Sequence, residues 1–255
     1  MLDCGLSFKT GCFVDLMLLA LFIVAYCAAC LSAIAGFGSA LILISAASLM
    51  FDIKWSIAIT TFFYCFNSSL KTYHLYRHID WPLVIKLSVF AIPGTFLGAY
   101  CLLMIDATWL MLGLASIALS YLLLDVLKLI PPFKLNNKIL LAAGFVYGFI
   151  SGAIGSGSLI KAIVFKQIRM QKEAFVASMA ASALPLNIVK IWVFIGASLV
   201  VIQDVPTILV LLLASYLGTL MGKRLLTQLS QALFEHLVRA VLLLLCIGLI
   251  YRALF

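Results

Sequence analysis

Ser32-Ala-Ile-Ala-Gly36-Phe-Gly38-Ser39 and Ser151-Gly-Ala-Ile-Gly155-Ser-Gly157-Ser158 are two versions of one motif, 119 residues apart. Each interrupts an apolar run. Unbroken, residues 13–51 would form a helix of roughly 57 Å at about 1.5 Å per residue. A bilayer's hydrocarbon core is only about 30 Å thick. The chain must therefore break at these glycines, which lack a Cβ and reach conformations closed to other residues. Lys71 falls on Lys190 at the same offset, and Gly94-x-x-x-Gly98 falls on Ala214-x-x-x-Gly218 at an offset of 120. Three anchors in order indicate an internal duplication, an architecture common among secondary transporters.

Composition sets the solvent. Of 255 residues, 65% are hydrophobic and 10% charged, and the mean hydropathy is +1.23. Soluble domains average about 45–50% apolar and about 25% charged residues. That excludes a soluble catalytic or nucleic-acid-binding domain, a disordered chain, a coiled coil and a disulfide scaffold. An all-α polytopic membrane protein remains. Apolar segments run over roughly 13–35, 37–51, 55–76, 81–104 and 107–127, then 139–154, 157–168, 174–195, 205–222 and 232–254. Residues 1–127 form the first transmembrane repeat and 139–255 the second. The polar stretch 128–138 between them reads as a cytoplasmic linker.

Charge fixes the orientation. If each glycine motif reverses the chain, one side receives Arg77, Lys86, Lys128, Lys134, Lys138, Lys166, Arg169, Lys172, Lys223, Arg224 and Arg239. The other side receives Lys9, Lys54 and Arg252. Fusing the first two segments of each repeat would divide these residues equally, so only the reversing arrangement obeys the positive-inside rule. Five segments per repeat is odd, so the repeats are expected to be inverted, with both termini outside the cytoplasm. A re-entrant hairpin at each motif has the same parity as two full crossings.

The candidate site follows from the breaks. Discontinuous helices at corresponding positions of two repeats point to a substrate site near the midplane. A helix starting after the glycines presents free N–H groups and a positive dipole end, which suit an anion. Gly36, Gly38, Ser39, Gly155, Ser156, Gly157 and Ser158 are the expected lining, around a small polar cavity where the two motifs approach. Packing of small residues alone is the competing explanation. Lysines inside apolar sequence mark pathways more often than decoration. Lys161, one turn beyond Ser158, and Lys190 are expected at the site; Lys71 is a weaker candidate that could snorkel to headgroups. Asn67 and Asn187 lie deeper and are candidate donors.

Other features point elsewhere. The seven cysteines are scattered, and Cys27-x-x-Cys30 lies in an apolar run without further ligands, so they read as small hydrophobes. His74 and His78, at i and i+4 beside Arg77 and Asp80, read as an interfacial cluster. Trp55, Trp81, Trp109 and Trp192 sit near segment ends, as in an aromatic belt. Glu235 and Arg239 read as a structural pair. No acidic residue stands clearly at a segment centre, and no nucleotide, zinc-protease or hydrolase motif is present. No metal or other cofactor is expected.

The chain resembles the sulfite exporter TauE/SafE family of membrane permeases. The likeness rests on the glycine-rich stretches 32–51 and 151–170, on Ala177-Ser-Met-Ala-Ala-Ser182 leading into Asn187 and Lys190, and on Arg77-His-Ile-Asp80-Trp81 with the small-x-x-x-Gly motif at 94–98. It spans nearly the whole chain. Where the family usually has a fuller glycine run followed by a proline, this chain has serines, no proline, and Lys161. The resemblance implies a secondary transporter of a small anion, such as a sulfur oxyanion, a sulfonate or a small organic acid, in a bacterial inner membrane. The expected partners are that substrate and the lipid bilayer, with no nucleic acid; a homo-oligomer is compatible with the sequence. The alternative is a non-transporting membrane subunit or assembly factor that uses the glycines only for packing.

Overall fold

The computed structural model describes residues 4–35, 39–126, 136–168, 170, 172–225, 243, 247, 250 and 251. Among them the chain is helical, without strands. The first half holds α1 (Cys4–Ala35), α2 (Ser39–Met50), α3 (Ile53–His74), α4 (Trp81–Met104) and α5 (Ala107–Val126). The second holds α6 (Asn137–Ile154), α7 (Ser158–Gln167), α8 (Lys172–Ala181), α9 (Leu184–Gly196) and α10 (Val205–Leu225). Gly36, Gly38 and the linker positions 127–135 lie outside the described residues, as does most of the expected segment 232–254, including Glu235 and Arg239.

Local chemistry sets the helix starts. The Asp52 carboxylate accepts from the Lys54 and Trp55 amides and caps α3. Asp80 does the same for the Leu83 amide of α4, and Asn136 for the Ile139 amide of α6. Each cap satisfies an amide that the helix itself leaves without a partner.

Among the described residues, five stretches are long and apolar enough to cross a membrane: Leu16–Ala33, Trp81–Met104, Asn137–Ile154, Glu173–Gly196 and Ile202–Gly222. Leu19, Ile23, Leu97, Ile188 and Leu213 face outward on them, where lipid is their natural solvent. α3 differs. Its buried face carries Ser56, Thr60, Thr61, Asn67, Ser68 and Lys71, so it is the polar interior helix, and α2, α8, α9 and α10 pack against it.

The expected segment 174–195 is not one helix. It breaks between Ala181 and Leu184, dividing α8 from α9. Pro185 sits in the first turn of α9. It has no N–H to give the Ala181 carbonyl, and its ring crowds that carbonyl. The corresponding helix of the first half, α3, has no proline and runs unbroken. The His74 and His78 pair also changes, because α3 ends at His74 and His78 lies in the separate 3-10 turn Tyr76–His78. The two imidazoles therefore do not share one helical face.

The two most extensive helix pairs are α4 with α6 and α1 with α10. Both are built on glycine. A Cβ at Gly94 or Gly98 of α4 would strike the carbonyl oxygens of Phe145 and Phe149 on α6. From α6, Gly148 and Gly152 press on the carbonyls of Ala91 and Thr95. On the other pair, Gly218 and Gly222 of α10 press on the carbonyls of Tyr26 and Cys30 of α1. Such small-residue seams let backbones meet in lipid, where apolar burial gives helices little reason to associate. The seams also revise the repeat alignment. Tyr26 and Cys30 correspond to Phe145 and Phe149 at the 119-residue offset, so Gly94 and Gly98 correspond to Gly218 and Gly222. Asp80-Trp81-Pro82 likewise corresponds to Asp204-Val205-Pro206. The offset there is 124, one helical turn beyond the sequence alignment, because α9 runs three residues past the counterpart of His74 and the connection 197–204 is two residues longer than 75–80.

Candidate functional site

The second break is fully described. α6 ends at Gly155, whose φ of +85° is left-handed, a conformation that glycine takes without the penalty of a Cβ. Isoleucines close over it: a Cβ there would lie 2.7 Å from Ile44 Cδ1 and 2.9 Å from Ile57 Cγ2. The break thus packs against α2 and α3 of the first repeat. Gly157 lies beneath Tyr147, where a Cβ would come within 2.7 Å of the ring. Ser156 and Ser158 are buried with their hydroxyl oxygens 3.2 Å apart. Of the first break, Ser39 opens α2, is fully buried, and its hydroxyl has no protein partner.

Three lysines are buried among these helices. Lys190 is 1% exposed, and its Nζ donates to the Gly155 carbonyl at 3.3 Å. Lys71 donates to the Ser32 hydroxyl at 2.6 Å. Each lysine therefore rests on the last turns of the first helix of its own repeat, where free carbonyls and the negative dipole end attract a cation. Lys161 is also 1% exposed; its Nζ donates to the Tyr147 hydroxyl at 3.1 Å and to the Met179 carbonyl at 2.6 Å. It stands 4.9 Å from the centre of the Tyr147 ring, in cation–π range. Among the residues whose burial is described, no aspartate or glutamate is buried, so none of the three lysines has a buried carboxylate among them as a partner.

The asparagines separate. Asn67 donates from Nδ2 to the Thr219 hydroxyl at 2.9 Å and the Ser215 hydroxyl at 3.3 Å; it ties α3 to α10. Asn187 is 1% exposed and its Nδ2 has no protein partner. On α3, the Thr60, Ser68 and Thr72 hydroxyls also lack protein partners. Buried polar atoms are paired as a rule, and these hydroxyls are exceptions to it.

The structure thus brings Gly155, Ser156, Gly157, Ser158, Lys161 and Lys190 into one neighbourhood, while Lys71 rests on Ser32 at the end of α1. It gives Asn67 an interhelical role. Tyr147 and the Met179 carbonyl were not found from sequence. Tyr147 carried no signal beyond its place in an apolar helix. The freed carbonyl was signalled by Pro185, since a proline in mid-segment implies a break. No group of three or more His, Cys, Asp or Glu side chains that could hold a metal occurs among the described residues.

The grooves described on the surface are open and apolar. One lies between α4 and α9, lined by Ile92, Phe96, Leu97, Ile188 and Trp192 among others.

A family model described as Sulfite exporter TauE/SafE matches residues 21–249. No curated protein and no solved structure matches the chain.

Proposed function

The chain belongs to the sulfite exporter TauE/SafE family, and from that premise we propose that it is a secondary transporter of a small anion. The substrate is a sulfur oxyanion, a sulfonate or a small organic acid. It moves by alternating access between two inverted repeats in a bacterial inner membrane.

One observation carries this reading: Lys71, Lys161 and Lys190 are all buried inside apolar helices, and their partners are hydroxyls and carbonyls, with no buried carboxylate among the described residues. Desolvating a charge is costly unless it is paired. An ammonium group has three donors, and Lys71 and Lys190 each use one on the protein. The remaining donors, with Ser39 and Asn187, suit an anion that sheds its water. The two lysines are repeat equivalents, so each repeat supplies one. The pairing of α4 with α6 and of α1 with α10 supports a two-fold relation, because each repeat's first helix then packs on the other's fourth. Closure of Gly155 by Ile44 and Ile57 suits an occluded state.

That same closure is what the subunit alternative would require, but packing alone gives no reason to bury three cations. Isothermal titration of the purified protein with sulfite, simple sulfonates and small carboxylates tests the proposal. Saturable binding of at least one anion is the expected result; none across the panel would favour the subunit.

A further inference from the structure

The second repeat departs from the first at three positions that belong together. Pro185 falls on Phe66 at the 119-residue offset, Lys161 on Ile42, and Tyr147 on Ala28. In the first repeat α3 runs unbroken past Phe66, and Ile42 and Ala28 lie in the buried apolar core. In the second repeat the helix is broken before Pro185, and Lys161 and Tyr147 are joined by a hydrogen bond of 3.1 Å. The polar pair therefore occurs in the repeat that has the break, and hydrocarbon takes its place in the repeat that has none.

The geometry of the break accounts for the association. Pro185 has no N–H for the Ala181 carbonyl, and the turn before it tightens, so that the Ala183 amide donates to Ala180 rather than to Met179. Met179 is buried, and its carbonyl is left without a helix partner where an unmade hydrogen bond is costly. Lys161 Nζ fills the place at 2.6 Å, with the Ser182 hydroxyl at 3.3 Å. This role needs an N–H to give and not a net charge. Lys161 stands in α7, just after the Gly155 break, and grips the end of α8, before Pro185. Lys190, on α9 beyond Pro185, reaches back to the Gly155 carbonyl before α7. Each side of one break is thereby tied to one side of the other.

We propose that Lys161 is a positioning residue. It pins the break between α8 and α9 by taking the place of the missing helix amide. It thereby sets the course of α9, which carries Asn187 and Lys190 to the Gly155 break. Its indirect role in anion binding rests on the transport reading; its partnership with Pro185 does not.

A double-mutant cycle on the purified protein tests the pin. Lys161→Met is expected to lower the apparent melting temperature by at least about 4 °C, the effect of leaving one buried carbonyl short of a donor. Pro185→Ala restores an N–H and removes the ring, so the helix can wind on and return the Ala183 amide to Met179. In that background the same Lys161→Met replacement should cost less than about half as much. Equal costs in the two backgrounds, as a lysine that merely fills space would give, overturn the inference. If Lys161→Met alone yields no folded protein, recovery of a monodisperse species in the double variant is the expected result, and its failure to appear contradicts the pin. Calorimetric titration with sulfite supplies the positioning readout. At a temperature where Lys161→Met is folded, its affinity for sulfite should fall several-fold, and an unchanged affinity overturns the control of α9. A wild type that binds neither sulfite nor any other anion of the panel removes the transport reading, and the stability cycle still decides whether Lys161 pins the break.

Discussion

Lys190 Nζ donates to the carbonyl oxygen of Gly155 at 3.3 Å, across 35 residues of sequence. The contact joins the two features by which a membrane chain can hold an anion: a broken helix and a buried cation. Its counterpart in the first repeat is Lys71 on Ser32, 39 residues apart. In both, the lysine lies against the closing turns of a helix rather than against a carboxylate. A helix terminus carries only about half an elementary charge, so it steadies the ammonium without neutralising it. On the transport proposal, an arriving anion would complete the neutralisation.

Replacing either lysine should therefore impair transport without impairing assembly. Lys190→Met and Lys71→Met are each expected to lower anion flux into proteoliposomes by at least about tenfold, equivalent to about 1.4 kcal/mol of lost interaction. Membrane insertion and elution as a single species should persist, because a buried unpaired charge is being exchanged for hydrocarbon. Wild-type flux in both variants would remove the lysines from the path.

Gly155 should tolerate no side chain. A left-handed φ costs a non-glycine residue roughly 1–2 kcal/mol, and a Cβ would also meet Ile44 and Ile57. Gly155→Ala is expected to lower the apparent melting temperature and to weaken anion binding. Gly157→Val, forced against Tyr147, should lose binding while still inserting. Thermal unfolding and titration of the two purified variants check this; an unchanged profile in both would mean that the break is not built as described.

The glycine seam between α4 and α6 makes a separate claim about assembly. Gly148→Leu should prevent folding, since even a Cβ at that position would overlap the Ala91 carbonyl. Gly196→Ala is the control. Nothing lies within 4 Å of a Cβ there, and alanine is better than glycine within a helix by roughly 0.5–1 kcal/mol. The comparison is made by the yield of monodisperse protein after extraction. Equal yields of Gly148→Leu and wild type would contradict the seam.

Much of this architecture was legible in sequence because lipid imposes simple rules. Apolar length marks the helices, and glycine in an apolar run marks a break, which is why the ends of α2, α4, α6 and α7 lie close to the expected segment ends. The burial of Lys161 and Lys190 was readable from the same contrast between a charge and its surroundings. What escaped was relational. The one-turn shift of Gly94 and Gly98 onto Gly218 and Gly222 depends on the longer end of α9 together with the 197–204 connection, which have no hydropathy signature. The partners of Asn67, Ser215 and Thr219, lie on a helix distant in sequence, and no local spacing announces them. Tyr147 gained meaning only once Lys161 was placed beside it.

Topology gives a further prediction. The basic residues of 128–138 are expected in the cytoplasm, following the positive-inside rule. On a cysteine-free background, a cysteine at position 134 should resist an impermeant thiol reagent in intact cells and react after permeabilisation. Labelling from outside intact cells would invert the assignment.

The most direct test of the central claim is a calorimetric titration that compares the wild-type protein with the Lys71→Met/Lys190→Met double variant, using sulfite, simple sulfonates and small carboxylates. The account predicts saturable binding of at least one of these anions to the wild type and a loss of that binding in a folded double variant. Wild-type affinity in the double variant would contradict it.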